Sequence, residues 1–116
     1  MMLRNIWTTL FWLLLVFCTW FLLREITPKP PPFPHFDKLL HATGFAGLTL
    51  SGLKAYPSKP AWILTCMAIY GAGTEALQGM LTITRDASLL DWLADTAGVF
   101  VAYYFQKFTQ QYGLRV

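Results

Sequence analysis

The chain has 116 residues, 55% of them hydrophobic, 16% aromatic and 13% charged, and its mean hydropathy is +0.44. That length suits one domain, and the balance excludes an ordinary soluble globule and points to a membrane protein. The net charge of +3 does not indicate a nucleic-acid partner, because the nine Lys and Arg stand singly between apolar runs and form no basic stripe.

Residues 6–23 form an uninterrupted run without charge, flanked by Arg4, Arg24 and Glu25. At 1.5 Å per residue such a run just spans a hydrocarbon core of about 30 Å, which predicts a transmembrane helix over about 5–23. Its bulky end, Thr19-Trp20-Phe21-Leu22-Leu23, lacks the small-x-small pattern of a cleaved leader. The next stretch, TPKPPPFPH at 27–35, holds five of the seven prolines. Proline has neither the N–H nor the φ freedom that helix continuation needs, so a stiff extended connector is expected there, on the outer side.

A second helix is predicted over 37–55, in a less apolar run containing Gly44, Gly47, Ser51 and Gly52. Small residues let helix backbones approach closely in a bilayer, so this helix belongs inside the bundle. PSKP at 57–60 turns the chain into a third helix, 61–83, and TRDAS at 84–88 leads into a fourth, 89–106. The aromatic end of the fourth, Tyr103, Tyr104 and Phe105, suits an interface, and the residues from 107 onward read as a short polar tail. With no internal repeat and no strand-like alternation, the expected fold is all-α: a four-helix transmembrane antiparallel bundle forming one domain over 1–116.

Alternating helices put Arg4, Lys54, Lys59, Lys107 and Arg115 on one side and Arg24, Lys29, Lys38 and Arg85 on the other. The excess favours both termini on the cytoplasmic side. Cys18 and Cys66 would lie roughly 15 Å apart in depth. A disulfide needs Cα atoms within about 7 Å, so they are expected to be unpaired.

The same alternation carries seven polar residues to one end of the bundle. Asp37 and His41 open the second helix, Glu75 and Gln78 close the third, Arg85 follows in the loop, and Asp91 and Asp95 open the fourth. Each pair has i, i+3 or i, i+4 spacing and so shares one side of its helix. An isolated acid at a helix centre in a membrane costs about 2.5–3.5 kcal/mol, so Glu75 calls for partners: His41, Arg85 or a carboxyl sharing a proton. Structural explanations stand beside functional ones. Asp37 with Lys38 suits a water boundary, Ser88 and Asp91 resemble a capping box, and the whole set could lock the bundle by buried hydrogen bonds.

Three blocks, DKLLHATGF at 37–45, EALQ at 75–78 and RDASLLDWLADTAG at 85–98, together resemble the VanZ-like family of small integral membrane proteins. The family pattern is Asp-Lys-x-x-His-x-x-x-Phe, then Glu-x-x-Gln, then Arg with an Asp six residues on and a Gly beyond, and it covers about half of this chain. By that resemblance the family's polar positions fall on Asp37, Lys38, His41, Glu75, Gln78, Arg85 and Asp91. The family usually has Asn where this chain has Asp95, and commonly Pro-Gly where it has Ile83 and Thr84. The family's namesake is associated with resistance to the glycopeptide teicoplanin, and no such role follows for this chain. The resemblance implies a multi-pass protein of the bacterial inner membrane.

The expected function is recognition of a polar or charged head group, of an envelope lipid or lipid-linked precursor, by Asp37, Lys38, His41, Glu75, Gln78, Arg85, Asp91 and Asp95, in an accessory envelope role. Membrane lipids are the expected partners; self-association stays open, and no cofactor or metal is expected. One alternative is a membrane-embedded hydrolase or transferase using His41, Glu75 and Asp91 as acid–base groups or metal ligands. Another is a small dimeric transporter, against which stands the absence of charge from the first helix.

Overall fold

The computed structural model describes residues 2–24, 32–82 and 88–113. They form four helices: α1 (Met2–Leu23), α2 (Phe36–Ala55), α3 (Pro60–Leu81) and α4 (Leu89–Gln111). The expected all-α four-helix bundle is therefore the fold. Residues 25–31, which carry most of the proline-rich connector, and residues 83–87, which carry Arg85, lie outside the described residues.

Local chemistry explains most of the helix ends. His35 precedes α2 in the left-handed region at φ 63°, and its carbonyl accepts from the Leu39 N–H at 3.2 Å. Pro60 occupies the first turn of α3, where its missing N–H has no intrahelical partner to lose. Ser88 caps α4, its Oγ accepting from the Asp91 N–H at 3.3 Å, as the capping-box pattern predicts.

α1 begins at Met2 and not near residue 5, and two helix ends also differ from the sequence expectation. α3 stops at Leu81 because Thr82 turns to an extended conformation, φ −115° and ψ 149°, while its N–H and hydroxyl both bond the Gln78 carbonyl. α4 runs to Gln111, so residues 107–111 continue the helix where a polar tail was expected. Thr109 is buried seven residues after buried Ala102, so the helix keeps an inward face. The stop is Gly113 at φ 68°, the left-handed position that suits glycine.

The helices alternate in direction. Phe11 meets Gly52 and Cys18 meets Gly44, which makes α1 antiparallel to α2. Glu75 meets Ser88, and the Trp92 indole donates to the Ala68 carbonyl, which makes α3 antiparallel to α4. The most extensive packing is between α2 and α4, which run parallel: Lys38 pairs with Asp91, His41 with Asp95, and Ala42 faces Gly98. α1 packs on α2 and α3, and among the described residues it does not pack on α4. The helices thus form a ring in the order α1, α2, α4, α3, with α2 also touching α3 across it and α1 held away from α4.

Gly98 sets the closeness of the α2–α4 side. A Cβ added there would lie 2.2 Å from the Ala42 carbonyl oxygen, so only a residue without a side chain permits the approach. The small residues of α2 matter less evenly: a Cβ at Gly52 would press on Phe11 at 3.0 Å, whereas at Gly47 it would meet nothing within 4 Å. Phe11, Phe45, Leu48, Leu53, Ile63, Met67 and Val99 fill the apolar core.

The surface is apolar. Leu13, Val16 and Trp20 of α1, Trp62 and Ile69 of α3, and Phe100, Val101 and Tyr104 of α4 are all exposed, while His41, Thr49, Ser51, Thr74, Glu75, Gln78 and Asp95 are buried. By length and composition, α1 is the one helix among the described residues apolar enough to cross a membrane. Cys18 and Cys66 are unpaired.

Candidate functional site

The polar cluster occupies the end of the bundle where α2 and α4 begin and α3 finishes. Its centre is His41, 5% exposed, one and a half turns into α2. Its Nδ1 lies 2.7 Å from Asp95 Oδ1 and 3.7 Å from Glu75 Oε1, and its Nε2 lies 3.7 Å from Asp91 Oδ2. Three carboxyl groups from two other helices therefore surround one imidazole. The parallel packing of α2 on α4 makes this possible, because it sets the i, i+4 pair Asp91 and Asp95 beside Asp37, Lys38 and His41 in matching order.

Lys38 joins the outer edge of the cluster. Its Nζ lies 2.6 Å from Asp37 Oδ2 and 2.9 Å from Asp91 Oδ1, bridging the first turns of α2 and α4. Asp37 has 56% of its side chain exposed, so that half of the bridge is open to its surroundings, whereas Asp91 is largely enclosed.

Glu75 has a partner that sequence reasoning missed. Its Oε2 accepts from the Ser88 backbone N–H at 3.0 Å, so an acid from α3 serves the N-terminus of α4. A carboxylate there also suits the positive end of the helix dipole. Ser88 carries the only sequence signal of this arrangement, as a cap residue, and nothing in its spacing from Glu75 foretells the bond.

Gln78 takes a different role from its neighbours. Its Nε2 donates to the Leu22 carbonyl of α1 at 2.7 Å, and it is 1% exposed. Leu22 is among the last residues of α1, whose carbonyls have no intrahelical donor. Gln78 therefore ties α1 to α3 and is not one of the groups around His41. Of the eight residues expected at the site, Asp37, Lys38, His41, Glu75, Asp91 and Asp95 converge, Gln78 faces α1, and Arg85 lies outside the described residues.

Next to the cluster is an apolar groove of about 220 Å³ between α1 and α2. Phe17, Cys18, Phe21 and Leu22 form one wall, and Leu40, His41, Gly44 and Phe45 the other. His41 is thus shared, lining the groove and anchoring the polar network. Arg24, at the end of α1, holds its guanidinium 4.6 Å from the Phe21 ring centroid, beside the same groove. Neither the groove nor the place of Arg24 was legible in the sequence, since both depend on how α1 lies against α2.

Comparison with protein-family models, with curated proteins and with solved structures finds no match.

Proposed function

We propose that this chain is a membrane-embedded protein that binds an amphipathic lipid or lipid-linked precursor, its head group at the His41 cluster and its hydrocarbon chain in the α1–α2 groove. The observation that carries this reading is the position of His41, a buried polar residue forming part of the wall of an otherwise apolar groove. A groove of this kind, ending at a few convergent polar groups, suits a ligand with one apolar and one polar end.

The membrane setting is supported by the many large apolar side chains exposed on the outside of the helices, while the polar cluster is buried. It is supported also by the length and composition of α1. On this reading all four helices span the bilayer, and the bias in Lys and Arg directs both termini to the cytoplasm. The resemblance of the three sequence blocks to the VanZ-like family agrees with a small bacterial inner-membrane protein in an accessory envelope role.

The described cluster has four carboxyl groups, Asp37, Glu75, Asp91 and Asp95, against Lys38 and His41. It favours a head group that itself brings hydrogen-bond donors, such as sugar hydroxyls or an amine. Arg24 beside the groove supplies a cation for a phosphate on the same ligand.

Native mass spectrometry of detergent-purified protein tests the reading, with Gly44→Leu as the probe. A Cβ at Gly44 meets only Cys18 Sγ, at 3.9 Å, and Gly44 lines the groove, so a larger side chain there takes up groove space. Wild type is expected to carry a lipid that Gly44→Leu loses while circular dichroism stays unchanged. A folded, lipid-free wild type, or a Gly44→Leu variant with undiminished lipid, overturns it.

A further inference from the structure

Beyond lipid recognition, and without depending on it, we infer that His41, Glu75 and Asp95 form a binding site for one divalent transition-metal cation of the zinc or manganese class. Each of the three offers a ligand atom, and these atoms all lie within 4.8 Å of one another. They come from α2, α3 and α4, so the site exists only in the assembled bundle.

A cluster of acids can simply be solvated, but this one is enclosed: His41 and Glu75 are 5% exposed and Asp95 is 1% exposed. Two of its oxygens are moreover left over. Glu75 Oε1 and Asp95 Oδ2 are buried and have no hydrogen-bond partner among the described residues. Glu75 Oε1 is turned toward the centre, 3.7 Å from His41 Nδ1, while the other oxygen of the same carboxyl is occupied by Ser88. A buried carboxylate oxygen without a donor is costly, and a cation beside it satisfies it directly.

A carboxylate also stands near the second ring nitrogen of His41, beyond hydrogen-bond distance but within reach of a small side-chain rotation. A ligating imidazole usually directs its second ring nitrogen to a carboxylate, which fixes the tautomer and raises the basicity of the ligating nitrogen. Here Nε2 faces Asp91 Oδ2 at 3.7 Å, and Asp91 is held from its other oxygen by Lys38 at 2.9 Å. With the proton on Nε2, the Nδ1 lone pair points toward Glu75 and Asp95. The cation replaces the hydrogen bond between Nδ1 and Asp95 Oδ1, and any proton held in that bond is released on binding.

Donor chemistry narrows the metal. One imidazole nitrogen with two carboxylate oxygens suits zinc or manganese better than calcium or magnesium, which favour all-oxygen sites. Zinc ligands lie at about 2.0–2.2 Å, so opposed donors are at most about 4.4 Å apart. Small side-chain rotations bring the three atoms into that range. Three protein ligands also leave a coordination position open, the arrangement of sites that accept a further ligand.

The test is titration of chelator-treated, delipidated protein with zinc chloride and with manganese chloride by calorimetry, together with elemental analysis of the protein as purified. One cation per chain is expected. Asp95→Asn and Glu75→Gln should each weaken binding by more than about tenfold, and Glu75→Gln keeps an oxygen for Ser88. Asp91→Asn, which leaves all three ligands in place, should weaken it by about 10- to 100-fold. Gly44→Leu, which fills the groove but replaces none of the three ligands, should still take up one cation per chain. The absence of binding by folded wild-type protein, or affinity unchanged in both Asp95→Asn and Glu75→Gln, overturns the inference.

Discussion

Glu75 Oε2 accepts a hydrogen bond at 3.0 Å from the backbone N–H of Ser88, so the first turn of α4 is completed by a carboxyl group from α3. In an ordinary capping box the acid three residues after the cap reaches back to that N–H. Here Asp91, in that sequence position, is drawn instead to Lys38, and Glu75 takes its place. One substitution in the helix pattern thereby links the end of α3, the start of α4 and the start of α2.

Removing that carboxyl group should separate capping from charge. Glu75→Ala leaves the Ser88 N–H without its acceptor and is expected to destabilise the protein by about 1–3 kcal/mol. Glu75→Gln, which retains an acceptor oxygen, should cost clearly less. Chemical denaturation followed by circular dichroism measures both, and equal losses would show that the Ser88 bond contributes little.

Gly98 and Gly47 offer a sharper contrast, since both are helical glycines and only one is spatially constrained. Gly98→Ala drives a methyl group into the Ala42 carbonyl, whose oxygen is 2.2 Å from the Cβ position, and should cost about 1–3 kcal/mol or prise α2 from α4. Gly47→Ala meets nothing within 4 Å and should be neutral or stabilise by about 0.5–1 kcal/mol through helix propensity. Thermal unfolding of the two variants side by side decides the matter. A tolerant Gly98→Ala would mean that the helices part without loss.

Gln78 should behave as a strut between helices. Gln78→Leu leaves the Leu22 carbonyl without its donor, with an expected loss of about 1–3 kcal/mol and faster hydrogen exchange in the last turn of α1. Metal titration of the same variant should be unchanged, because Gln78 Nε2 is directed to α1 and not to His41. A Gln78→Leu variant with normal stability and impaired metal binding would return Gln78 to the site.

Much of this was legible before any coordinates. Apolar runs of helical length separated by two proline-marked connectors and the polar stretch TRDAS predict four helices, and Ser88 marks the start of the fourth. Gly113 also carried a readable stop signal, but the polar residues 107–111 concealed the continuation of α4, because polarity alone does not break a helix. Alternation of direction was enough to bring Asp37, His41, Glu75, Asp91 and Asp95 to one end.

What the sequence by itself determined is therefore what depends on near neighbours along the chain: helix existence, the Ser88 cap of α4, and which end of each helix carries its polar residues. Hydrogen bonding four residues apart and the 3.6-residue repeat act within a single segment. Only the tertiary structure decided that α2 pairs with α4, that Gln78 turns to Leu22, that Glu75 caps α4, and that His41 forms part of a groove wall. These outcomes rest on which helix lies beside which and at what distance. For α2 and α4 that distance depends on a single glycine, Gly98, where any Cβ would lie 2.2 Å from the Ala42 carbonyl oxygen, a meaning that appears only when Ala42 is beside it.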